Sequence, residues 1–172
     1  TTFFLGLEAQ KRNYDIYYYE PKDLSFVDGK VFARCNKLKF QNNLKKPFKI
    51  FKKNIINLIN TKLLLIRNEP PFNQQYINTT FILEHISNKI KIINDPRALR
   101  EVSEKLFSLR LIKFMPPTLF SEDLSEIKRF FCKNKKVVIK PIENYGGNEV
   151  RLLSNFNKKY VIKYIKKYHH LM

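Results

Sequence analysis

Lys136–Gly147, KVVIKPIENYGG, is the stretch from which the rest of the chain can be read. Val137, Val138, Ile139 and Ile142 predict a strand buried on both faces. Lys140 ends the apolar run and Pro141 follows it. An ammonium group in such a place needs an anionic partner. Gly146 and Gly147 then supply flexible backbone, close approach and N–H groups free to point at oxygen. A strand-end lysine followed by a glycine loop points to a nucleotide phosphate. Two plainer roles stay open: Lys140 as a snorkelling side chain, and Gly146-Gly147 as a hairpin turn.

Outward from that loop, Glu149–Leu153 predicts a second strand, antiparallel to Lys136–Ile142. Ser121 reads as the cap of a helix through Phe131. Pro116-Pro117 marks a break, and Ser103–Leu109 a short helix. Downstream, Val161, Ile162, Ile165 and Tyr168 fall at helical spacing within Lys158–His170. This later part reads as helix, strand, loop, strand, helix.

The earlier part alternates helix and strand, the mark of an open α/β sheet. Phe3–Lys11 predicts a helix, with Asn13 as a left-handed cap. Asp15–Glu20 is rich in strand formers and ends at Pro21. Leu24–Val27 and Lys30–Arg34 flank Asp28-Gly29, a type I′ hairpin signal. Gln41–Asn60 is polar and lysine-rich and yields no clear element. Lys62–Ile66 predicts a buried strand, Asn68–Phe72 a loop that its prolines keep from being helical, and Tyr76–Ser87 a helix. Ile90–Ile93 predicts a short buried strand. Asp95-Pro96 fits a helix N-cap followed by proline at the first helical position. A boundary falls near Arg100.

The 172 residues allow one or two domains, and 44% hydrophobic content supports a sizeable core. No apolar run approaches the ~20 residues of a membrane span. Cys35 and Cys132 form no metal or redox motif, which fits a reducing cytoplasm. The formal charge of +18 raises the question of nucleic acid. The lysines are spread along the chain beside abundant Asn and Ile, so coding bias over solvated faces is the expected cause. His85, His169 and His170 have no metal spacing with acidic partners.

Four segments in register resemble one family: LEAQKRNYDIYYYEPKDLSFVDGKVFA at 7–33, IRNEPPF at 66–72, INDPRALREVSEKLF at 93–107 and IKPIENYGG at 139–147. They resemble the bacterial glutathione synthetases, ATP-grasp ligases. The resemblance implies an α/β fold. Residues 1–100 would form an open pre-ATP-grasp domain lacking its first strand. Residues 101–172 would begin an ATP-grasp domain and leave it incomplete. The family activity is ATP-dependent joining of γ-glutamylcysteine and glycine through an acyl phosphate. Charge on the transferring phosphoryl group is neutralised by lysine, backbone N–H groups and Mg²⁺.

The resemblance also assigns residues. Lys105 in SEKLF matches the first ATP lysine; a surface lysine is the plainer alternative. Lys140 matches the second. Tyr145, Gly146 and Gly147 match the loop over the phosphates, although Glu143, Asn144 and Tyr145 depart from the usual Asp-Gly-Met. Asn144 in place of glycine would stiffen the loop, though asparagine can hold positive φ. Arg67 matches the arginine of Arg-x-Asp-Pro-Pro-Phe, where its fork would suit a dipeptide carboxylate or pin the loop. Glu69 stands where the family has aspartate. Catalytic residues and Mg²⁺ ligands are expected outside this stretch, so these residues alone are not expected to ligate glycine. The missing first strand would leave a sheet edge exposed. Expected partners are small molecules, without nucleic acid or membrane, and a homo-oligomer at full length. Two alternatives stay open: an ATP-grasp ligase with another substrate, and a basic nucleic-acid-binding module.

Overall fold

The computed structural model describes residues 2–43 and 45–168. His169 and His170 lie outside them. The chain divides into two compact units, Thr1–Glu101 and Val102–Met172.

Unit 1 opens with α1 (Thr2–Lys11), ended by Asn13 at φ 60°. Three strands follow: β1 (Ile16–Tyr18), β2 (Leu24–Val27) and β3 (Lys30–Phe40). Asp28 and Gly29 turn β2 into β3 with φ of 47° and 77°, as a type I′ turn requires. β4 (Phe48–Asn57) pairs with the whole length of β3. This strand is the element the sequence does not announce: its burial pattern is exposed almost throughout, so no alternation marks it. β3 is the spine of an antiparallel sheet, with β1 and β2 on one flank and β4 on the other.

The second half of unit 1 supplies the α/β part. β5 (Leu63–Leu65), α2 (Gln74–Glu84) and β6 (Lys91–Ile93) make a parallel crossover. Leu64 is buried, but Leu63 and Leu65 are exposed, so the expected two-sided burial of this strand is not met. β5 pairs only with β6 among the described residues, and nothing covers its outer face. α3 (Pro96–Glu101) is capped by Asp95, whose Oδ1 accepts from Ala98 N at 2.8 Å. Arg100 fastens α3 to α2. It donates to Glu84 and to Thr80 Oγ1, and lies 4.0 Å from the Phe81 ring centroid. The core gathers Val31, Ala33 and Cys35 of β3 with Leu58, Leu64, Ile66, Leu83 and Ile86.

Unit 2 begins with a turn at 104–106 and a 3₁₀ segment, Phe107–Phe114. This replaces the expected short helix at Ser103–Leu109. α4 (Leu124–Asn134) starts later than expected. Its cap is Asp123, whose side chain accepts from Glu126 N, while Ser121 Oγ accepts from Asp123 N one step earlier. β7 (Val137–Ile139) and β8 (Arg151–Leu153) pair antiparallel, and α5 (Lys158–Tyr168) packs behind them. Ile139 is 5% exposed, but Val138 is 47% and its cross-strand partner Leu152 is 64%. The two-stranded sheet thus has one covered face, not the two predicted from VVI.

Candidate functional site

Lys105 stands in the turn before the 3₁₀ segment, and its half-buried ammonium donates to two carbonyls of the glycine-bearing loop. These are Ile142 O, at 3.0 Å, and Asn144 O. Carbonyl oxygens solvate a cation without cancelling its charge. The loop therefore carries a fixed positive charge on its inner side, with a third N–H unspent on those carbonyls.

The loop itself is a sequence of tight turns. Asn148 N donates to Tyr145 O at 3.1 Å and Val150 N to Gly147 O at 3.2 Å. Gly146 and Gly147 sit at φ 61° and 73°, with nothing within 4 Å of where a Cβ would be. Glycine is needed there for backbone angle rather than for space. Among the described residues neither glycine N–H has a protein acceptor. Asn144 is not among the positive-φ residues, so the departure from glycine at that position is accommodated; Glu149, at φ 58°, bears the strain instead.

Glu149 is also the loop's exit post, and the sequence gave no sign of it. Tyr164 OH donates to its carbonyl, while its carboxylate pairs with Arg151 at 3.1 Å and Lys167 at 3.6 Å. Burial, with the neighbouring tyrosines and Glu149 adding to it, pushes the Tyr164 hydroxyl up to about 12.

Lys140 lies one residue past β7 and is half-buried. With Lys136 it lines a cavity of about 470 Å³ walled by Ile139, Phe130, Met115 and Pro116. Neither Lys105 nor the two glycines line that cavity. The structure thus joins Lys105 to the glycine loop but gives Lys140 a separate apolar chamber. A planar, weakly polar group fits such a chamber better than a bare phosphate does.

In unit 1, Arg67 follows β5 at its C-terminal end and is exposed. Its Nε donates to Thr2 Oγ1 at 3.3 Å. It shares a cavity of about 630 Å³ with Asn68, Glu69, Glu20 and Tyr76. The Pro70–Pro71 bond in the following loop is cis. Among the described residues no three His, Cys, Asp or Glu side chains could hold a metal ion. The residues present therefore do not fit Mg²⁺, and no step is assigned to it. His85 packs its ring 4.8 Å from Phe26. No helix among the described residues is long and apolar enough to cross a membrane.

Residues 1–100 match the family model for the prokaryotic glutathione synthetase N-terminal domain, and residues 104–171 match that for its ATP-grasp domain. The chain belongs to the prokaryotic glutathione synthetase family. It is 34% identical to a glutathione synthetase of Buchnera aphidicola from Schizaphis graminum, over 93% of this chain and 55% of that protein. It is 40% identical to one from Wigglesworthia glossinidia brevipalpis, over 87% and 48%. An Escherichia coli glutathione synthetase is 32% identical, over 87% and 48%. The chain spans about half the length of these family members. Its mixed fold, an N-terminal domain and then part of an ATP-grasp domain, is the family's.

Proposed function

We propose that these residues form the N-terminal domain and the first part of the ATP cradle of a glutathione-forming ligase. ATP phosphorylates the cysteinyl carboxylate of γ-glutamylcysteine, releasing ADP. The amine of glycine then attacks the acyl carbon, and inorganic phosphate leaves. Phosphorylation is what turns a carboxylate oxygen into a leaving group. Lys105 and the N–H groups of Gly146 and Gly147 grip the phosphates, with Tyr145 at the loop's outer edge. Lys140 reaches the nucleotide from its apolar chamber, and Arg67 takes a substrate carboxylate. The reaction belongs in the cytoplasm, where ATP and reduced thiols coexist.

The Lys105 ammonium bound to the Ile142 and Asn144 carbonyls carries this proposal. It supports a cation built into a glycine loop, which a surface lysine would not supply. Titration calorimetry of the 172-residue chain with ATP tests it. Binding should occur and should weaken in Lys105→Ala by roughly ten- to a hundredfold, the worth of a charge-assisted hydrogen bond. Equal affinity in the variant would remove Lys105 from the site.

A further inference from the structure

We propose that the unit 1 cavity holds the amino-acid head of the carboxylate substrate. Its α-carboxylate would lie on Arg67, Asn68 and the start of α2, and its α-ammonium against Glu20 or Glu69. The identity of the substrate rests on the ligase proposal above; the site rests on unit 1 alone.

Three independent features converge on one anion position. Arg67 uses Nε on Thr2 Oγ1, and among the described residues no carboxylate lies within ion-pairing distance of its guanidinium. Its terminal nitrogens keep the planar fork that matches a carboxylate. Asn68 adds a buried Nδ2 with no acceptor, although Asn68 lines the cavity. A buried donor left unsatisfied is costly, and native structures retain few of them. Third, α2 begins here. Asn73, Gln75 and Tyr76, at its first turn, line the same cavity, so the positive end of the helix dipole faces it.

The remaining polar groups narrow the ligand. Glu20 and Glu69 also line the cavity. Two carboxylates near a cation disfavour a second anion and favour an ammonium. A site with an arginine fork, an amide donor and acidic neighbours matches an α-amino acid terminus, carboxylate and ammonium on one carbon. The γ-glutamyl end of the dipeptide is such a group. The rest of the wall, including Leu5, Ala9 and Ile16, is apolar and suits methylenes.

Calorimetry of the 172-residue chain with three probes tests this: γ-glutamylcysteine, N-(4-aminobutanoyl)cysteine without the α-carboxylate, and N-glutarylcysteine without the α-amino group. Removing the α-carboxylate should weaken binding by about tenfold or more, and removing the amine by less. Equal binding of all three overturns the site. Asn68→Leu should raise the melting temperature, since it deletes an unsatisfied donor, yet weaken γ-glutamylcysteine. Unchanged affinity there overturns the proposal. Should that variant not fold, Arg67→Lys, an exposed change that keeps charge but loses the fork, must weaken γ-glutamylcysteine and leave the 4-aminobutanoyl probe unaffected; any other pattern sinks it. ATP is titrated in parallel. If ATP binds and no probe does, this site falls and the ligase proposal stands. If the probes bind in the expected order and ATP does not, the site stands and the ligase proposal falls.

Discussion

Lys105 Nζ donates to Ile142 O at 3.0 Å, a bond that joins residues 37 apart in sequence and fixes a cation beneath a glycine loop. Without the ammonium two loop carbonyls lose their donor. Lys105→Met should therefore loosen the loop as well as weaken ATP. Hydrogen exchange should accelerate at Asn144–Asn148 in the variant without ATP. An unchanged exchange pattern would confine Lys105 to ligand binding.

Gly147 has φ 73° and open space around it, so its requirement is for backbone angle alone. Gly147→Ala should cost about 1–2 kcal/mol, the steric cost of a left-handed L-residue. A D-alanine placed there by semisynthesis should cost almost nothing. Thermal melts of the three proteins separate angle from volume; equal losses with L- and D-alanine would show that space matters after all.

Gly6 lies inside α1, where alanine would ordinarily be the better helix former by about 1 kcal/mol. A methyl there would intrude on the Phe40 ring of β3. Gly6→Ala should therefore destabilise by about 1–3 kcal/mol through overpacking, and Phe40→Leu in the same chain should restore part of the loss. Urea denaturation checks it; a stabilised Gly6→Ala chain would mean that the ring swings away freely.

Tyr164 holds its proton more tightly in the folded state, since its hydroxyl is pushed from 10.0 up to about 12. Its stabilising contribution is complete below pH 10 and disappears as the pH rises through about 12. Unit 2 should melt at falling temperature across that interval. Tyr164→Phe should start about 1 kcal/mol lower, having lost the bond to Glu149 O, and show a flatter alkaline slope.

The two thiols should differ sharply in reactivity. Cys35 is buried in the unit 1 core, and burial pushes its thiol up to about 11; Cys132 is exposed. Iodoacetamide at pH 8 should label Cys132 alone in the native chain and both thiols in urea, as mass spectrometry would report. Rapid native labelling of Cys35 would mean that β3 opens readily.

Local chemistry made much of the fold legible. Asp28-Gly29 specified its turn, Asp95-Pro96 began α3, and the prolines at 70 and 71 kept their loop out of a helix. β4 escaped because a strand exposed on both faces carries no alternation. Ser121 misled because Asp123, two residues on, caps better placed N–H groups. In KVVIK and KLLLI the apolar runs marked strands correctly but not their burial, which depends on what packs against each face.

The sequence by itself determined the family, the order of elements and the positions where backbone angle admits little but glycine, because these follow from residue type and spacing. Only the tertiary structure decided which cations meet which loops. Lys105 reaches the carbonyls of Ile142 and Asn144, Lys140 faces a separate chamber, and Asn68 buries an unmatched donor beside Arg67. Those placements depend on contacts between residues distant in sequence, and no local pattern of side chains encodes them.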